Sequence, residues 1–429
     1  MVSLPVLLSG RVFRSKTLNA LPHTIRASIR FNLKPVLQGG LMEYFFSDEE
    51  KQLKSKARAI AESLIKPIHC ELDAKAEFPM EIVKEMGKQG LLKIFVPKEY
   101  GGTGARIMDM CIACEEVSRI CAGVATAYAV SALGSGPIIF FGSEEQKKKY
   151  LPKIATGELL CAFGLTEVQA GSDIANIQTT ARKDNSHYVL NGVKQFISSG
   201  SLSDVYVVLA STDKSRGARG ISAFIVEKNT PGFSYGKEEN KLGIRASTTT
   251  ELVFEDCRIP EENLMGKEGF GFIYTMRNFD RARPGVGAIA LGISQGAYET
   301  ALEFAYQHDL LRNQYIQRNI ADMATEVEAA RALLYAAARM IDAGAKNFTK
   351  EASFAKLYPS EIAVKIATQA IEVLGPYGLL NEYRVEKMLR DAKITQIYEG
   401  TNQIQRAQIA LELTREMGIK ERAMSNVRR

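Results

Sequence analysis

This chain of 429 residues has no tryptophan, four histidines and six cysteines. The shortage of histidine and cysteine limits the kinds of site that the protein can form. There is no tryptophan, so tryptophan fluorescence cannot report ligand binding. The six cysteines are irregularly spaced along a long chain, which excludes a disulfide framework and indicates a reducing compartment. Cys111 and Cys114 form a C-x-x-C pattern with no second pair and no nearby histidine. We therefore predict buried helix thiols rather than a metal or redox site.

Long uninterrupted apolar runs are also missing. The longest candidate, VATAYAVSALGSGPIIFF at 124–141, is broken by serine, glycine and proline. A transmembrane helix needs about 20 predominantly apolar residues, so we predict no membrane span. With 46% hydrophobic residues, the chain can still bury a large core and divide into several domains.

Acidic residues are absent from the first 41 positions, which carry six basic residues. The whole chain has 55 basic and 49 acidic residues, so 49 of each remain from residue 42 onward. A neutral body gives no support for nucleic-acid binding. Residues 1–41 are either an organellar transit peptide or an extension created by a start codon placed too early. Met42 opens a stretch in which Ser47 is placed to cap a helix, as a natural N-terminus would. A transit peptide predicts the mitochondrial matrix, whereas a misplaced start codon predicts a bacterial cytoplasm.

The periodicity of apolar residues changes twice along the chain. Spacings of three and four predict helices from 47 to about 155, and they return after about 271. Between these regions, short alternating segments with turn residues predict strands. We therefore predict an α+β multidomain protein with a helical domain (42–157), a middle β domain (158–270) and a C-terminal helical bundle (271–429).

Five motifs follow one another from about residue 43 to the end of the chain. Together they resemble the acyl-CoA dehydrogenase family, in its short- and medium-chain branch. The motifs are EYGG (99–102), LTEVQAGSD (165–173), KQFISSG (194–200), FDRARP (279–284) and EKMLRDAKITQIYEGTNQIQR (386–406).

The resemblance implies a fold and a reaction. The expected fold has an N-terminal helical domain, a β-barrel-like middle domain and a C-terminal four-helix bundle, assembled as a homotetramer. The expected reaction is α,β-dehydrogenation of a short- or medium-chain acyl-CoA to the trans-2-enoyl-CoA. FAD is the expected cofactor and hydride acceptor, and an electron-transfer flavoprotein is the expected electron acceptor.

Glu399 is the candidate base. The α-proton of a thioester is weakly acidic, so its removal needs a positioned base, and a carboxylate desolvated by an acyl chain has a raised pKa. In relatives the backbone N–H of this glutamate also helps to hold the enolate oxygen. The alternative is an acid favoured by a helix N-terminus, with Asn402 as the cap and Gln405 three residues further on. Some branches of the family carry the base where this chain has Ala282. Alanine cannot act as a base, so Glu399 is the only candidate from the resemblance.

Further site residues follow from the resemblance alone. The substrate is expected at Ser172, Asp280, Arg283 and Gly400, and no metal is expected. Phe163 and Phe196 are expected beside the flavin ring, with core aromatics in strands as the alternative. The complete set of expected cofactor contacts is Phe163, Leu165, Thr166, Phe196, Ile197, Ser198, Gln314, Glu372, Gly375, Thr401 and Gln403.

The chain departs from the family pattern where relatives bind the FAD pyrophosphate. The stretch before Gln314 is shorter, and the arginine that relatives extend to a neighbouring subunit has no counterpart, with Arg312 as the remaining candidate. Glu372 replaces a usual glutamine, and Pro376 replaces a glycine and removes an amide donor. Such losses weaken FAD binding by about 2–4 kcal/mol. The alternative to an active dehydrogenase is therefore a flavin-poor or flavin-free partner subunit.

Overall fold

A computed structural model describes residues 45–418 of the chain. The predictions made for residues 1–41 lie outside this range. Within it, helices occupy the first part, strands the middle and helices the last part. This order confirms the predicted fold class, whereas the domain boundaries stay a prediction.

The N-terminal part consists of helices that begin at well-formed caps. The predicted cap is confirmed, because Ser47 Oγ accepts a hydrogen bond from the N–H of Glu50 at 3.2 Å. The Glu50 carboxylate in turn accepts from the N–H of Ser47 at 2.9 Å, which completes a capping box. The helices are α1 (Asp48–Ile60), α2 (His69–Lys75), α3 (Met80–Lys88), α4 (Ile107–Ser118), α5 (Ala122–Phe141) and α6 (Glu144–Thr156).

Helix α5 is a core helix. It is long and apolar enough to pass a test for a membrane-spanning helix, but 67% of its most apolar window is buried inside the protein. Two glycines let it approach its neighbours closely. A Cβ on Gly134 would lie 2.6 Å from the carbonyl oxygen of Cys161, and one on Gly136 would lie 2.1 Å from Asn278 Oδ1. The small residues of this run are therefore explained by close packing.

The predicted thiols are confirmed as buried side chains. Cys111 and Cys114 both lie on α4 and are fully buried. Burial raises the pKa of both thiols, Cys114 to about 12. Thiols in this state are unreactive at neutral pH because the thiolate is the nucleophile.

The middle part is a curled sheet of seven strands. The order along the sheet is β1-β4-β2-β3-β7-β6, and β5 pairs with β4. Strands β3 and β7 form the longest antiparallel ladder. Apolar side chains at alternate positions of the strands pack together into one buried core. The strands are β1 (Cys161–Gly164), β2 (Thr180–Asp184), β3 (His187–Ser198), β4 (Val205–Ser211), β5 (Ile221–Glu227), β6 (Phe233–Glu238) and β7 (Thr249–Pro260).

The C-terminal part is a helical bundle centred on one long helix, α7. Close packing of α7 depends on glycine, because a Cβ on Gly287 would lie 1.9 Å from the carbonyl oxygen of Ala355. A Cβ on Gly292 would likewise lie 1.9 Å from Ser118 Oγ, so α7 also packs tightly against α4. The helices are α7 (Gly271–Gln307), α8 (Gln314–Asp342), α9 (Thr349–Leu374), α10 (Val385–Thr395) and α11 (Asn402–Glu416).

Candidate active site

A cavity of about 190 Å³ lies where the helical parts meet the sheet. Its walls come from α4, α5 and α7, from the ends of β1 and β3, and from the segment that joins α10 to α11. Most of the lining side chains are apolar. Seven of the residues predicted from the sequence line it: Phe163, Leu165, Thr166, Phe196, Ile197, Ser198 and Glu399.

A buried ion pair joins strand β3 to the segment that follows β1, at one wall of the cavity. Lys194 is fully buried, and its Nζ donates to Glu167 Oε1 at 2.6 Å and to the carbonyl oxygen of Leu165 at 3.2 Å. The backbone N–H of Gln195 donates to the carbonyl oxygen of Thr166 at 2.7 Å. Burial lowers the pKa of Lys194 to about 8, and Glu167 opposes this shift. These contacts bring the two flavin-binding motifs expected from the sequence to one wall.

Phe196 projects from that wall because the strand is irregular there. The pairing of β3 with β7 shifts register between Lys194 and Ile197, and Phe196 has a left-handed φ of 59°. The residue is 57% exposed and borders the cavity. Phe163 differs, because it is buried with its ring at 6.0 Å from that of Phe279. Phe163 is thus a core aromatic in a strand, as the alternative interpretation predicts, and it also borders the cavity.

Glu399 is the only carboxylate among the described residues that line the cavity. Its φ is +50°, a conformation that costs a non-glycine residue about 1–3 kcal/mol and indicates a constrained position. The residue as a whole is half-buried, but its Oε2 is buried and has no hydrogen-bond partner in the part of the chain described. Burial raises the pKa of Glu399 to about 7, against the opposing charges of Lys356 and Arg283.

Two side chains hold the backbone beside this carboxylate. Lys356 Nζ donates to the carbonyl oxygen of Gly400 at 2.9 Å. Gln405 Nε2 donates to the same oxygen at 3.0 Å and to that of Glu399 at 3.3 Å. Gly400 has a φ of +91°, and a Cβ there would lie 2.7 Å from Gln405 Nε2. The turn therefore needs glycine next to the glutamate.

Thr401, not Asn402, caps α11. Thr401 has an extended backbone, and its Oγ1 accepts from the N–H of Ile404 at 3.3 Å. The predicted cap at Asn402 was wrong, because Asn402 is already the first residue of the helix and its side chain is buried. Its Oδ1 accepts from Lys356 Nζ at 2.8 Å and its Nδ2 donates to Ser360 Oγ at 2.9 Å.

Arg283 and Asp280, expected from the resemblance to contact the substrate, are paired with each other. Arg283 Nη1 donates to Asp280 Oδ1 at 2.8 Å, and Thr349 Oγ1 donates to Asp280 Oδ2 at 2.7 Å. Arg283 is buried, and burial lowers its pKa, opposed by Asp280 and Glu399. Burial raises the pKa of Asp280, opposed by Arg283. The pair lies close to the glutamate, and its contact with substrate stays a prediction.

The remaining predicted residues lie outside the cavity. Gln314 is an exposed residue at the start of α8, and Tyr315 OH donates to Glu372 Oε2 at 3.2 Å near the end of α9. Arg312, the candidate replacement for the missing arginine, is exposed and lies 3.5 Å from Asp309. Three further predicted residues are exposed or lie at a helix end, and their contacts with cofactor or substrate stay a prediction: Ser172, Gly375 and Gln403.

Sequence reasoning missed several residues that shape the site. Lys356 and Gln405 were not considered as partners of the turn at 399–400. Ala129 and Leu133 of α5 also line the cavity, although no site residue is predicted on that helix from the sequence. Arg281 also lines the cavity, and its guanidinium lies 4.7 Å from the Phe140 ring.

Three family models match the chain in sequence order. The N-terminal domain of acyl-CoA dehydrogenase matches residues 47–158, the middle domain residues 162–257 and the C-terminal domain residues 269–414. An acyl-CoA dehydrogenase from Bacillus subtilis is 47% identical over 366 residues, which cover 84% of this chain and 96% of that protein. A short-chain specific acyl-CoA dehydrogenase from Clostridium acetobutylicum is 43% identical over 380 residues, covering 87% and 100% of the two chains.

Solved structures agree with this assignment. The butyryl-CoA dehydrogenase of Megasphaera elsdenii superposes with a TM-score of 0.84 at 41% identity, covering 86% of this chain and 98% of that one. An acyl-CoA dehydrogenase of Bacillus anthracis, complexed with FAD, superposes with a TM-score of 0.83 at 34% identity, covering 89% and 70%. The chain therefore belongs to the acyl-CoA dehydrogenase family.

Proposed function

We propose that the protein is an FAD-dependent acyl-CoA dehydrogenase that converts a short- or medium-chain acyl-CoA to the trans-2-enoyl-CoA. Glu399 takes the α-proton. The observation that carries the proposal is the position of Glu399, a lone carboxylate on the wall of an apolar cavity, with one buried oxygen that has no partner in the described chain. A base in this setting has a pKa close to the working pH, which suits proton transfer.

The backbone of Glu399 supports the second part of the chemistry. Its N–H donates no hydrogen bond to any group in residues 45–418, so it is available to the thioester oxygen. A donor fixed in a dry cavity stabilises the negative charge that develops on that oxygen when the proton leaves. The lysine and glutamine that hold the adjacent carbonyl groups keep this donor in place. One residue thus removes the proton and stabilises the charge.

The β1–β3 wall fits a flavin ring. Phe196 offers an exposed aromatic ring, and Thr166 and Ser198 place side chains with hydroxyl groups on the same wall. A planar ring with polar edges needs an aromatic or apolar face and hydrogen-bonding groups at its rim. When bound, FAD supplies the acceptor for the β-hydride. Leu165 and Ile197, both buried beside these residues, help to keep water from the ring.

The remaining expected contacts and partners belong to this proposal. The substrate contacts are Ser172, Asp280, Arg283 and Gly400, and the further FAD contacts are Gln314, Glu372, Gly375, Thr401 and Gln403. We propose a homotetramer that passes electrons to an electron-transfer flavoprotein. Its location is the bacterial cytoplasm if Met42 is the first residue of the working protein, and the mitochondrial matrix if residues 1–41 are a transit peptide.

A spectrum of the purified protein tests the function. The dehydrogenase is expected to show flavin absorbance near about 450 nm, alone or after reconstitution with FAD, and butyryl-CoA or hexanoyl-CoA is expected to bleach this band without oxygen. The second candidate, a flavin-free partner subunit, is favoured by Glu372 and Pro376 at the expected pyrophosphate site. Protein that acquires no flavin band after added FAD supports this second candidate and contradicts the dehydrogenase.

A further inference from the structure

Lys356 is a fully buried lysine on α9, directly beneath the turn that carries Glu399. Its Nζ donates to the carbonyl oxygen of Gly400 at 2.9 Å and to Asn402 Oδ1 at 2.8 Å. Both acceptors are neutral groups. No carboxylate in residues 45–418 forms an ion pair with this ammonium. A buried ammonium without a paired anion is costly, so its presence here calls for a specific role.

The charged groups around the turn single out one partner for this ammonium. Lys356 faces Arg283, Glu361 and Glu399. Arg283 is already paired with Asp280 at 2.8 Å. Glu361 accepts from Asn402 Nδ2 at 2.6 Å and is 40% exposed, so water and its own contacts already stabilise its charge.

The Glu399 carboxylate accepts no hydrogen bond from any group in residues 45–418. Its Oε2 is buried without a hydrogen-bond partner in the described chain. The cations near it are Lys356 on α9 and Arg283 on α7, and the Cys114 thiol on α4 and the Tyr398 phenol also lie near it. Of these two cations, Lys356 has the larger stabilising effect on the charged carboxylate.

We propose that Lys356 is a positioning residue for the base: its ammonium holds the turn at 399–400 and its charge stabilises the carboxylate of Glu399, which sets the lower pH limit of proton abstraction. This inference rests on the proposed role of Glu399. Burial lowers the pKa of Lys356 to about 7, and Glu399 opposes that shift. The two groups therefore support each other's charged forms near neutral pH.

The test is the rate of flavin reduction by butyryl-CoA in the FAD-loaded enzyme, measured without oxygen across the neutral and alkaline range. Lys356→Met removes the charge and the hydrogen bonds at similar side-chain length. Without the cation the pKa of Glu399 rises, so the rate profile moves to higher pH by about one unit, a tenfold change in proton concentration. Because the pKa of Glu399 starts at about 7, the rate at pH 7 falls about fivefold and recovers at alkaline pH. Lys365→Met is the matched control, because Lys365 lies on the same helix, is exposed and pairs with Glu326.

Lys356→Gln separates the two effects, since its amide can still donate to the Gly400 carbonyl oxygen but carries no charge. It is expected to show the same alkaline shift with a smaller loss of maximal rate. If Lys356→Met does not fold or does not bind FAD, the pH profile of Lys356→Gln alone tests the proposal. An unchanged profile, or an equal loss at every pH without a shift, overturns the proposal. Glu399→Gln distinguishes the two levels: if it still allows bleaching, the proposed function fails, whereas blocked bleaching with unshifted Lys356 variants refutes only this inference.

Discussion

At the scale of single residues, the site depends on the buried Oε2 of Glu399 and on the constrained backbone of that residue. Its left-handed backbone turns the carboxylate towards the cavity, and the adjacent Gly400 makes the turn possible. Burial disfavours the charged carboxylate, while Lys356 and Arg283 limit that effect. In the proposed reaction, proton abstraction by Glu399 would therefore depend on a balance between desolvation and two buried cations.

That balance predicts the pH dependence of the wild-type enzyme. Burial raises the pKa of Glu399 to about 7, so its carboxylate, the proposed proton acceptor, forms as pH rises through neutrality. Because only the deprotonated form is a base, the rate of flavin reduction by saturating butyryl-CoA is expected to increase with pH and level off above about pH 8. Stopped-flow absorbance measures this rate. A rate that is already maximal at about pH 5 contradicts the raised pKa, because an unperturbed glutamate ionises near 4.3.

Gly400→Ala tests the turn itself. The added Cβ would be strained at a φ of +91° and would lie 2.7 Å from Gln405 Nε2, so the Glu399 carboxylate is displaced. A displacement of about 1 Å lowers the rate of flavin reduction by about 100-fold, while FAD remains bound. Gly344→Ala is the control, since Gly344 has a φ of +83° with open space around a Cβ and lies outside the cavity. Equal losses in the two variants refute a specific effect on the base.

At the scale of elements, the cavity wall depends on contacts between β3 and the segment that follows β1. Lys194 and Glu167 form a buried pair at 2.6 Å, and Glu167 also accepts from the N–H of Thr179 at 3.0 Å. The pair connects LTEVQAGSD to KQFISSG. Two motifs that are separate in the sequence thereby share one wall of the site.

Lys194→Met is expected to destabilise this wall. Removing one partner of a buried ion pair leaves an uncompensated carboxylate and costs about 3–5 kcal/mol in the free energy of unfolding. Lys183→Met is the control, because Lys183 pairs with Glu261 on the surface, where such a contact is worth at most about 1 kcal/mol. Urea denaturation followed by far-UV circular dichroism measures both. Similar effects of the two substitutions contradict the structural role of the buried pair.

Much of the element order was predictable from the sequence, because apolar spacing reports directly on helices and strands. The cap at Ser47 was predictable since serine followed by glutamate three residues later forms a capping box. The cap of α11 was not, because Thr401 and Asn402 are both good caps and only the backbone geometry separates them. Lys356 and Arg281 were missed for another reason. Their partners lie far away in the sequence, and side chains on one helix meet those of another only through tertiary packing.

At the scale of the whole molecule, the question is how firmly the chain holds its cofactor. The shortened turn between α7 and α8, together with Glu372 and Pro376, lies where the resemblance places the FAD pyrophosphate. Glu372 is exposed and accepts from Tyr315 OH. A negative charge in this position would oppose a diphosphate.

Glu372→Gln is therefore expected to tighten FAD binding. Removing the charge restores the amide usual in relatives and strengthens binding severalfold, or about 1 kcal/mol. Titration of the flavin-free protein with FAD, followed by flavin fluorescence, measures the dissociation constant. Glu382→Gln, an exposed substitution further along the chain, is the control and is expected to leave it unchanged. An unchanged constant for Glu372→Gln refutes the expected location of the pyrophosphate.

The central claim is that Glu399 is the base of an FAD-dependent acyl-CoA dehydrogenase, and anaerobic titration of FAD-loaded Glu399→Gln with butyryl-CoA tests it most directly. Glutamine keeps the size of the side chain and removes its basicity. The variant is expected to bind FAD with its flavin band near about 450 nm, as the wild type does, but to show no bleaching on addition of substrate. Full bleaching by the variant, at the rate of the wild type, contradicts the assignment of Glu399.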